Sequence, residues 1–306
     1  MKILVTGGAG YVGYTLVRRL IDAGLADPEI LVYDNLSRRN YAFFASHEKF
    51  PEGAVRFIQG EILDGRKLEQ SLAGVDTVIH LAAKVTTPFA DHEAHAFEQV
   101  NHWGTAQLAQ AIEGSDVRHV VYLSSTSVYG SSDDIVDEGH MFQPNTFYGI
   151  SKLRGEQQLE RLADRRRLHI IRSGNIFGFS PAMRYDAVIN RFMFDANFKG
   201  RIIIDGDGEQ HRAFIHIDMI CDLLVQLFTR EVPAGTYNAV EHNLSINELA
   251  DQVALLYPGL ARLAVSQNMP MQRIRVKVPC QIHDHVVLAS TTIDAQLRAI
   301  RDHFTF

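Results

Sequence analysis

Short runs of β-branched and aliphatic residues recur through the first half of the chain, at positions 2–6, 30–34, 55–59, 76–81, 118–124 and 168–172. Stretches with helical spacing lie between them, and this alternation predicts a parallel sheet with crossover helices. After the first run, Val12, Leu16, Val17 and Leu20 repeat at helical spacing, and Gly24 closes that helix. Residues 94–113 set Phe97, Val100, Leu108 and Ile112 on one apolar face, and residues 149–163 do the same with Leu153, Leu159 and Leu162. Such faces either pack on the sheet or also meet a second copy as a four-helix dimer contact. Beyond residue 175 the alternation becomes irregular, with Gly, Pro and Asp gathered at 178–186 and 205–208, so a smaller substrate-side domain is expected there. From Met269 onward no element reads clearly, and the chain has no internal repeat.

Composition narrows the class without choosing a function. At 306 residues, 46% hydrophobic and 22% charged, the chain has the balance of a soluble globular protein. A formal net charge of -6 leaves no global basic field to hold nucleic acid or an acidic membrane surface, so any anionic ligand must be bound locally. Cys221 and Cys280 are far apart and lack metal-ligand spacing; two ordinary thiols in a reducing, cytoplasmic setting are expected. The chain opens directly on a strand without the regions of a secretory signal, and no apolar run approaches membrane-spanning length.

Candidate chemistry begins at Thr6-Gly7-Gly8-Ala9-Gly10-Tyr11-Val12-Gly13, between the first strand and its helix. Gly8, Gly10 and Gly13 have the spacing of a dinucleotide loop, whose helix N-terminal amides receive a pyrophosphate. Asp34 stands where the second strand ends, at the place of the acid that binds the adenosine ribose. Its carboxylate would repel a 2′-phosphate, which favours NAD over NADP. Arg38 and Arg39 just beyond are read as a solvated loop pair.

Tyr148 and Lys152 are four residues apart on a predicted helix, so they share one face. A neighbouring ammonium favours phenolate over phenol and would let Tyr148 move protons near neutral pH. The preceding run, Val120 to Gly130, ends in the hydroxyls of Ser124, Ser125, Thr126 and Ser127, at the carboxyl edge where α/β sheets bind ligands.

In this order, the glycine loop, Asp34, the hydroxyl-rich strand end and the tyrosine-lysine pair resemble the extended short-chain dehydrogenase/reductase family, specifically its sugar-nucleotide epimerase and dehydratase group. The resemblance covers residues 1 to about 250 and includes Leu81-Ala82-Ala83, Asn101, the segment Arg172 to Gly178, and Gly206 to Phe214 followed by Asp218. It implies an α/β fold, a Rossmann-type doubly wound parallel sheet with a smaller C-terminal substrate-binding domain. Residues 1–175 would form the NAD-binding part and 176–306 mainly the substrate part, with about 209–232 returning to the first. It further implies NAD held by Gly7, Gly10, Tyr11, Val12 and Gly13, by Asp34, Asn35, Glu61 and Ile62, and by Leu81, Ala82, Ala83 and Ser124 together with Tyr148 and Lys152. Ser125 would orient the substrate oxygen, Tyr148 would move the proton, and Lys152 would hold the nicotinamide ribose. Lys84, Ser127, Asn175 and Arg212 would meet a nucleotide-diphosphate sugar, Arg212 clamping the diphosphate. Thr86 is a side candidate for the sugar. No metal is expected, His283-Asp284-His285 near Cys280 notwithstanding.

Within this group, dehydratases carry an Asp-Glu pair after the catalytic hydroxyl, and decarboxylases a Glu at the second of those positions. Thr126 and Ser127 occupy them here, which disfavours both reactions. The reading is a 4-epimerase passing through a 4-keto sugar, with an NAD(P)H-dependent 4-ketoreductase as the alternative and a non-catalytic cofactor sensor as a distant third. Three departures from the family pattern stand out: Ala213 after the arginine, Phe177 in place of tyrosine, and no Arg-x-Gly-Asp segment near the C-terminus. Arg273 or Arg275 is the expected substitute cation. His216 takes the place of a frequent aromatic.

Overall fold

The computed structural model describes residues 1–26, 28–45, 50–85, 93–265, 272–289 and 291–304. Its centre is a seven-stranded sheet of β1 (Lys2–Thr6), β2 (Glu29–Asp34), β3 (Val55–Gln59), β4 (Thr77–His80), β5 (His119–Ser125), β7 (Arg167–Ser173) and β11 (Gly235–Ala239). The strand order is β11-β7-β5-β4-β1-β2-β3, and every pairing is parallel. The chain builds outward from β1 through β3, then returns to lay β4 on the other side of β1. That reversal opens a crevice at the carboxyl ends of β1 and β4, where doubly wound sheets bind ligands.

The inner strands β1, β2, β4, β5 and β7 are buried on both faces, which is why they read as nearly continuous aliphatic runs. Ile3 and Val5 face one hydrophobic layer and Leu4 the other. The first layer receives α1 (Tyr11–Asp22) through Leu16, Val17 and Leu20, all fully buried. At about 1.5–3 kcal/mol for each such side chain, this packing outweighs any helix propensity the segment has. The same layer holds α8 (Ile217–Thr229), whose Asp218 and Asp222 both accept from Arg19 of α1. The opposite layer takes α3 (Gly65–Ser71), α5 (Gly104–Glu113) and α6 (Phe147–Glu160).

The stretch 94–113 is helical in three pieces: α4 (Ala94–Phe97), a π-helical turn at Glu98–Trp103, and α5. The wide turn seats Asn101, which is buried and clamps Lys84: its Oδ1 accepts from the Lys84 amide at 2.8 Å and its Nδ2 donates to the Lys84 carbonyl at 2.9 Å. Phe97, Leu108 and Ile112 are buried in the chain's own core, so that apolar face is occupied by intramolecular packing.

The remaining elements form the smaller part. β8 (Asn175–Phe177), β10 (His211–His216) and β12 (His242–Ser245) make a three-stranded sheet. β9 (Arg201–Asp205) pairs with β13 (Ala261–Val265), and β6 (Ile135–Val136) with β14 (Arg275–Val276). Helices α7 (Val188–Lys199), α9 (Ile246–Leu256) and α10 (Ile293–Asp302) pack around them, and α2 (Ala42–Ala45) follows the loop after β2. The chain leaves the central sheet after β7 and re-enters it with α8 and β11. Among the described residues, no helix is long and apolar enough to cross a membrane.

Candidate active site

The glycine loop is folded tightly against the end of β4. Gly7 has a φ of 70°, and a Cβ there would stand 2.6 Å from the Ala82 amide nitrogen. A Cβ on Gly13 would stand 2.4 Å from the Gly7 carbonyl oxygen, so this position sets how closely α1 approaches the loop. Gly10 caps α1 without a side-chain bond, which leaves first-turn amides facing the crevice with the positive end of the helix dipole. Asp34 lies beside them, its carboxylate accepting from the Ala9 amide at 3.1 Å and the Leu36 amide at 2.8 Å. Burial raises its pKa and these two bonds oppose the rise. Asn35 donates to Glu61 at 2.8 Å, and Glu61 also accepts from the Ile62 amide at 3.0 Å, which fixes the next wall of the crevice. Arg38 is exposed, as a solvated loop residue would be, and also lines the crevice with its guanidinium 3.9 Å from Asp186 on the opposite wall.

At the inner end, Thr146 starts α6 by accepting from the Gly149 amide at 3.0 Å, which presents Tyr148 in the first turn and Lys152 one turn later. The hydroxyl of Ser125 donates to that of Ser127 at 3.1 Å, and Ser125 and Tyr148 line the same stretch of the crevice. Lys152 is buried, donates to the Leu123 carbonyl at 2.7 Å and lies 4.0 Å from the centre of the Tyr122 ring. Burial lowers its pKa to about 7, against the upward pull of Glu156. For Tyr148, burial raises the pKa, while the Ser125 hydroxyl and the Arg184 charge lower it. The Lys152 ammonium is turned onto a backbone carbonyl, and Arg184 supplies the nearby positive charge. Ser124 also lines the crevice, and its hydroxyl is committed to Glu156 at 2.5 Å.

Across the crevice stand the smaller part's polar groups. Arg212 bonds only Gln272 among the described residues, at 3.4 Å, with no carboxylate partner, and burial lowers its pKa. Asn175 donates to the Ala213 carbonyl at 3.0 Å and leaves its remaining groups exposed. Arg191 pairs with Asp205 at 3.2 Å and Arg184 with Asp186 at 2.9 Å. Tyr11 joins the two walls by donating to the Gly178 carbonyl at 2.6 Å. The Lys84 ammonium is already engaged by Glu93 at 2.7 Å.

All the residues expected at the site, from Gly7 to Arg212, line a single cavity of about 1350 Å³. Seven cationic side chains line it against the four acids Asp34, Glu61, Asp186 and Asp205, although the whole chain is net negative. That local excess suits a polyanionic ligand. Other expectations are displaced. Arg273 and Arg275 lie outside the cavity, the latter on the Asp133 carbonyl, and Gln272 reaches Arg212 in their stead. His216 caps α8, and Phe177 and Ala213 are core residues rather than wall. No metal-binding group occurs among the described residues, and Thr86 lies outside them. Arg184 and Asp186 were hidden in the loop 178–186; the charged Arg184-Tyr185-Asp186 triplet in a Gly- and Pro-bearing loop was the available signal.

A doubly wound sheet with a glycine loop at its reversal, an acid closing the second strand and a Ser-Tyr-Lys group at the carboxyl edge defines a class of nicotinamide-dinucleotide enzymes. Residues 3–239 match the NAD dependent epimerase/dehydratase family, and the chain belongs to it. It is 28% identical over 265 residues to the dTDP-D-glucose 4,6-dehydratase of Mus musculus, covering 83% of this chain and 72% of that one. It is also 28% identical over 259 residues to the N-acetyl-alpha-D-glucosaminyl-diphospho-ditrans,octacis-undecaprenol 4-epimerase of Escherichia coli O157:H7, covering 82% and 71%. Among solved structures, DesIV, a dTDP-glucose 4,6-dehydratase from Streptomyces venezuelae with NAD and TYD bound, superposes with a TM-score of 0.86 at 25% identity over 99% of this chain and 97% of that one.

Proposed function

We propose that this chain epimerises a nucleotide-diphosphate sugar at carbon 4 through a transient 4-keto sugar, with NAD as resident cofactor. The observation that carries the reading is the end of β5. Thr126 and Ser127 stand beside Ser125 where an eliminating enzyme needs carboxylates, and each described acid of the cavity is elsewhere and already bonded or paired.

The residues present fit NAD. The Gly7 and Gly13 positions leave no room for a Cβ, as close backbone approach to a pyrophosphate requires, and Asp34 places a carboxylate for ribose hydroxyls. When bound, NAD supplies the hydride acceptor and donor. Ser125 orients the sugar hydroxyl, Tyr148 takes its proton and later returns it, and Lys152 holds the ribose of the cofactor. Arg212, a half-buried cation with no carboxylate partner among the described residues, receives the diphosphate, while Ser127, Asn175 and Lys84 face the sugar. We place substrate binding mainly in 176–306, with α8 and β11 serving the cofactor part. We also place a homodimer contact along the helical stretch 94–113 and α6, where Trp103 of the π turn and Phe147 are exposed. The two buried thiols, Cys221 and Cys280, suit a reducing cytoplasm.

The test incubates purified protein and NAD with UDP- and dTDP-hexoses and their N-acetyl forms, followed by NMR of the sugar. Interconversion of C4 epimers without net NADH is the expected result. Loss of one water from the sugar, or consumption of a keto sugar only with NADPH, overturns it.

A further inference from the structure

Behind the Ser-Tyr-Lys group lies a buried charge cluster that spacing in the sequence does not reveal. Glu156 follows Lys152 by one helical turn on the inner face of α6 and is fully buried. Its Oε1 accepts from Ser124 at 2.5 Å and from the Arg172 Nε at 3.1 Å, and its Oε2 from an Arg172 terminal nitrogen at 2.7 Å. Arg172 on β7 also donates to Tyr129 at 3.0 Å, and Tyr129 donates to Asn238 of β11 at 2.8 Å. One buried carboxylate is thus paired with Arg172 and lies one helical turn from Lys152, the two cations being 3% and 2% exposed.

We propose that Glu156 is a positioning residue for catalysis, whose carboxylate holds the end of β5 through Ser124 and serves as the counter-charge that keeps the Lys152 ammonium in place. The proposal rests on the reading of Ser125, Tyr148 and Lys152 given above. Removing the carboxylate would leave two cations in one dry cluster, and the one on the four-carbon stem is the one able to lose its proton.

The groups around Lys152 bear this out. From β5 come the Tyr122 ring and the Leu123 carbonyl, and from β4 the neutral ring of His80, which bonds Thr6 and Thr105. On α6 itself are Tyr148 and Glu156, and from β7 comes Arg172 through Glu156. The charges of the π turn are engaged on the outer side, where Glu98 takes His102 and Arg154. Glu156 is the group that raises the proton affinity of Lys152 against burial.

The experiment follows the Lys152 side chain by NMR in lysine-labelled, NAD-loaded protein, its signal assigned by loss in Lys152→Met, alongside the pH profile of sugar turnover. Glu156→Gln is compared with Glu156→Gln/Arg172→Met, which leaves no guanidinium stranded, and with the conservative Glu156→Asp. In both Gln variants Lys152 should titrate at least about one pH unit lower than in the parent, a tenfold change in proton affinity, with the alkaline limb of turnover moving equally. Glu156→Asp should restore most of the shift. An unchanged Lys152 midpoint in the folded double variant overturns the proposal. Absence of turnover in the parent on every sugar would defeat the functional reading instead, and the lysine midpoint would still decide this one.

Discussion

Tyr148 carries the sharpest prediction at the scale of single residues. Its phenol lines the cavity together with Ser125, so Tyr148→Phe removes the proposed proton carrier without disturbing the glycine loop. Turnover should fall by about 10²- to 10⁴-fold, the range for a lost general acid-base group, while NAD released on denaturing the purified variant stays near one per chain. Arg212 acts on a different quantity. A guanidinium this poorly partnered is available to a diphosphate, and a charged hydrogen bond is worth roughly 1.5–3 kcal/mol. Arg212→Met should therefore raise KM for the nucleotide sugar by about 10- to 100-fold with kcat changed much less. Initial rates at varied sugar concentration separate the two, and a loss confined to kcat would remove Arg212 from the binding role.

At the scale of elements, the approach of α1 to the glycine loop is the sensitive joint. A methyl at Gly13 would meet the Gly7 carbonyl at 2.4 Å and the Gly8 backbone at 2.5 Å, and backbone atoms cannot rotate aside. Gly13→Ala should cost about 1–3 kcal/mol of stability, as overpacking does, and weaken NAD binding together with it. Calorimetric titration of NAD and a urea melt would show both, and retention of wild-type NAD affinity would mean that α1 does not position the dinucleotide. The same joint explains what was legible beforehand. β1, β2, β4, β5, β7 and α1 announce themselves because strands buried on both faces must be aliphatic and an amphipathic helix must repeat, while the half-exposed edge strand β3 shows through Val55, Phe57 and Ile58. β11 did not: Gly235-Thr-Tyr-Asn-Ala is short and polar, and its place beside β7 depends on a pairing across some sixty residues. The π turn at 98–103 was equally silent, since only the fold brings Asn101 to Lys84. Spacing put Tyr148 and Lys152 on one helical face but said nothing of the Leu123 carbonyl that takes the ammonium.

For the whole molecule, acid should be the weak direction, because three imidazoles are buried as neutral rings inside the central sheet layer. His80 sits between Thr6 of β1 and Thr105 of α5 at 2.7 and 2.9 Å. The Thr105 hydroxyl donates to the Asn101 carbonyl, so His80 Nε2 donates to Thr105 and Nδ1 accepts from Thr6. His119 and His169 bond one another at 2.8 Å across β5 and β7. Burial lowers the pKa of all three, that of His80 to about 3, well below the 6.5 of an exposed ring. A base whose folded pKa lies below its unfolded value is protonated first in the unfolded chain. The stability tied to the neutral ring is complete above about pH 6.5 and is lost as pH falls toward the folded value, at up to about 1.4 kcal/mol per pH unit for each ring. Unfolding in urea between pH 7 and 4.5 should show this decline. His80→Asn isolates the contribution of one ring: it lowers stability at pH 7, yet its slope between pH 6.5 and 4.5 should be shallower than the parent's by up to that amount. Parallel slopes in the two proteins would mean that carboxylates, and not these rings, govern the acid limit of the fold.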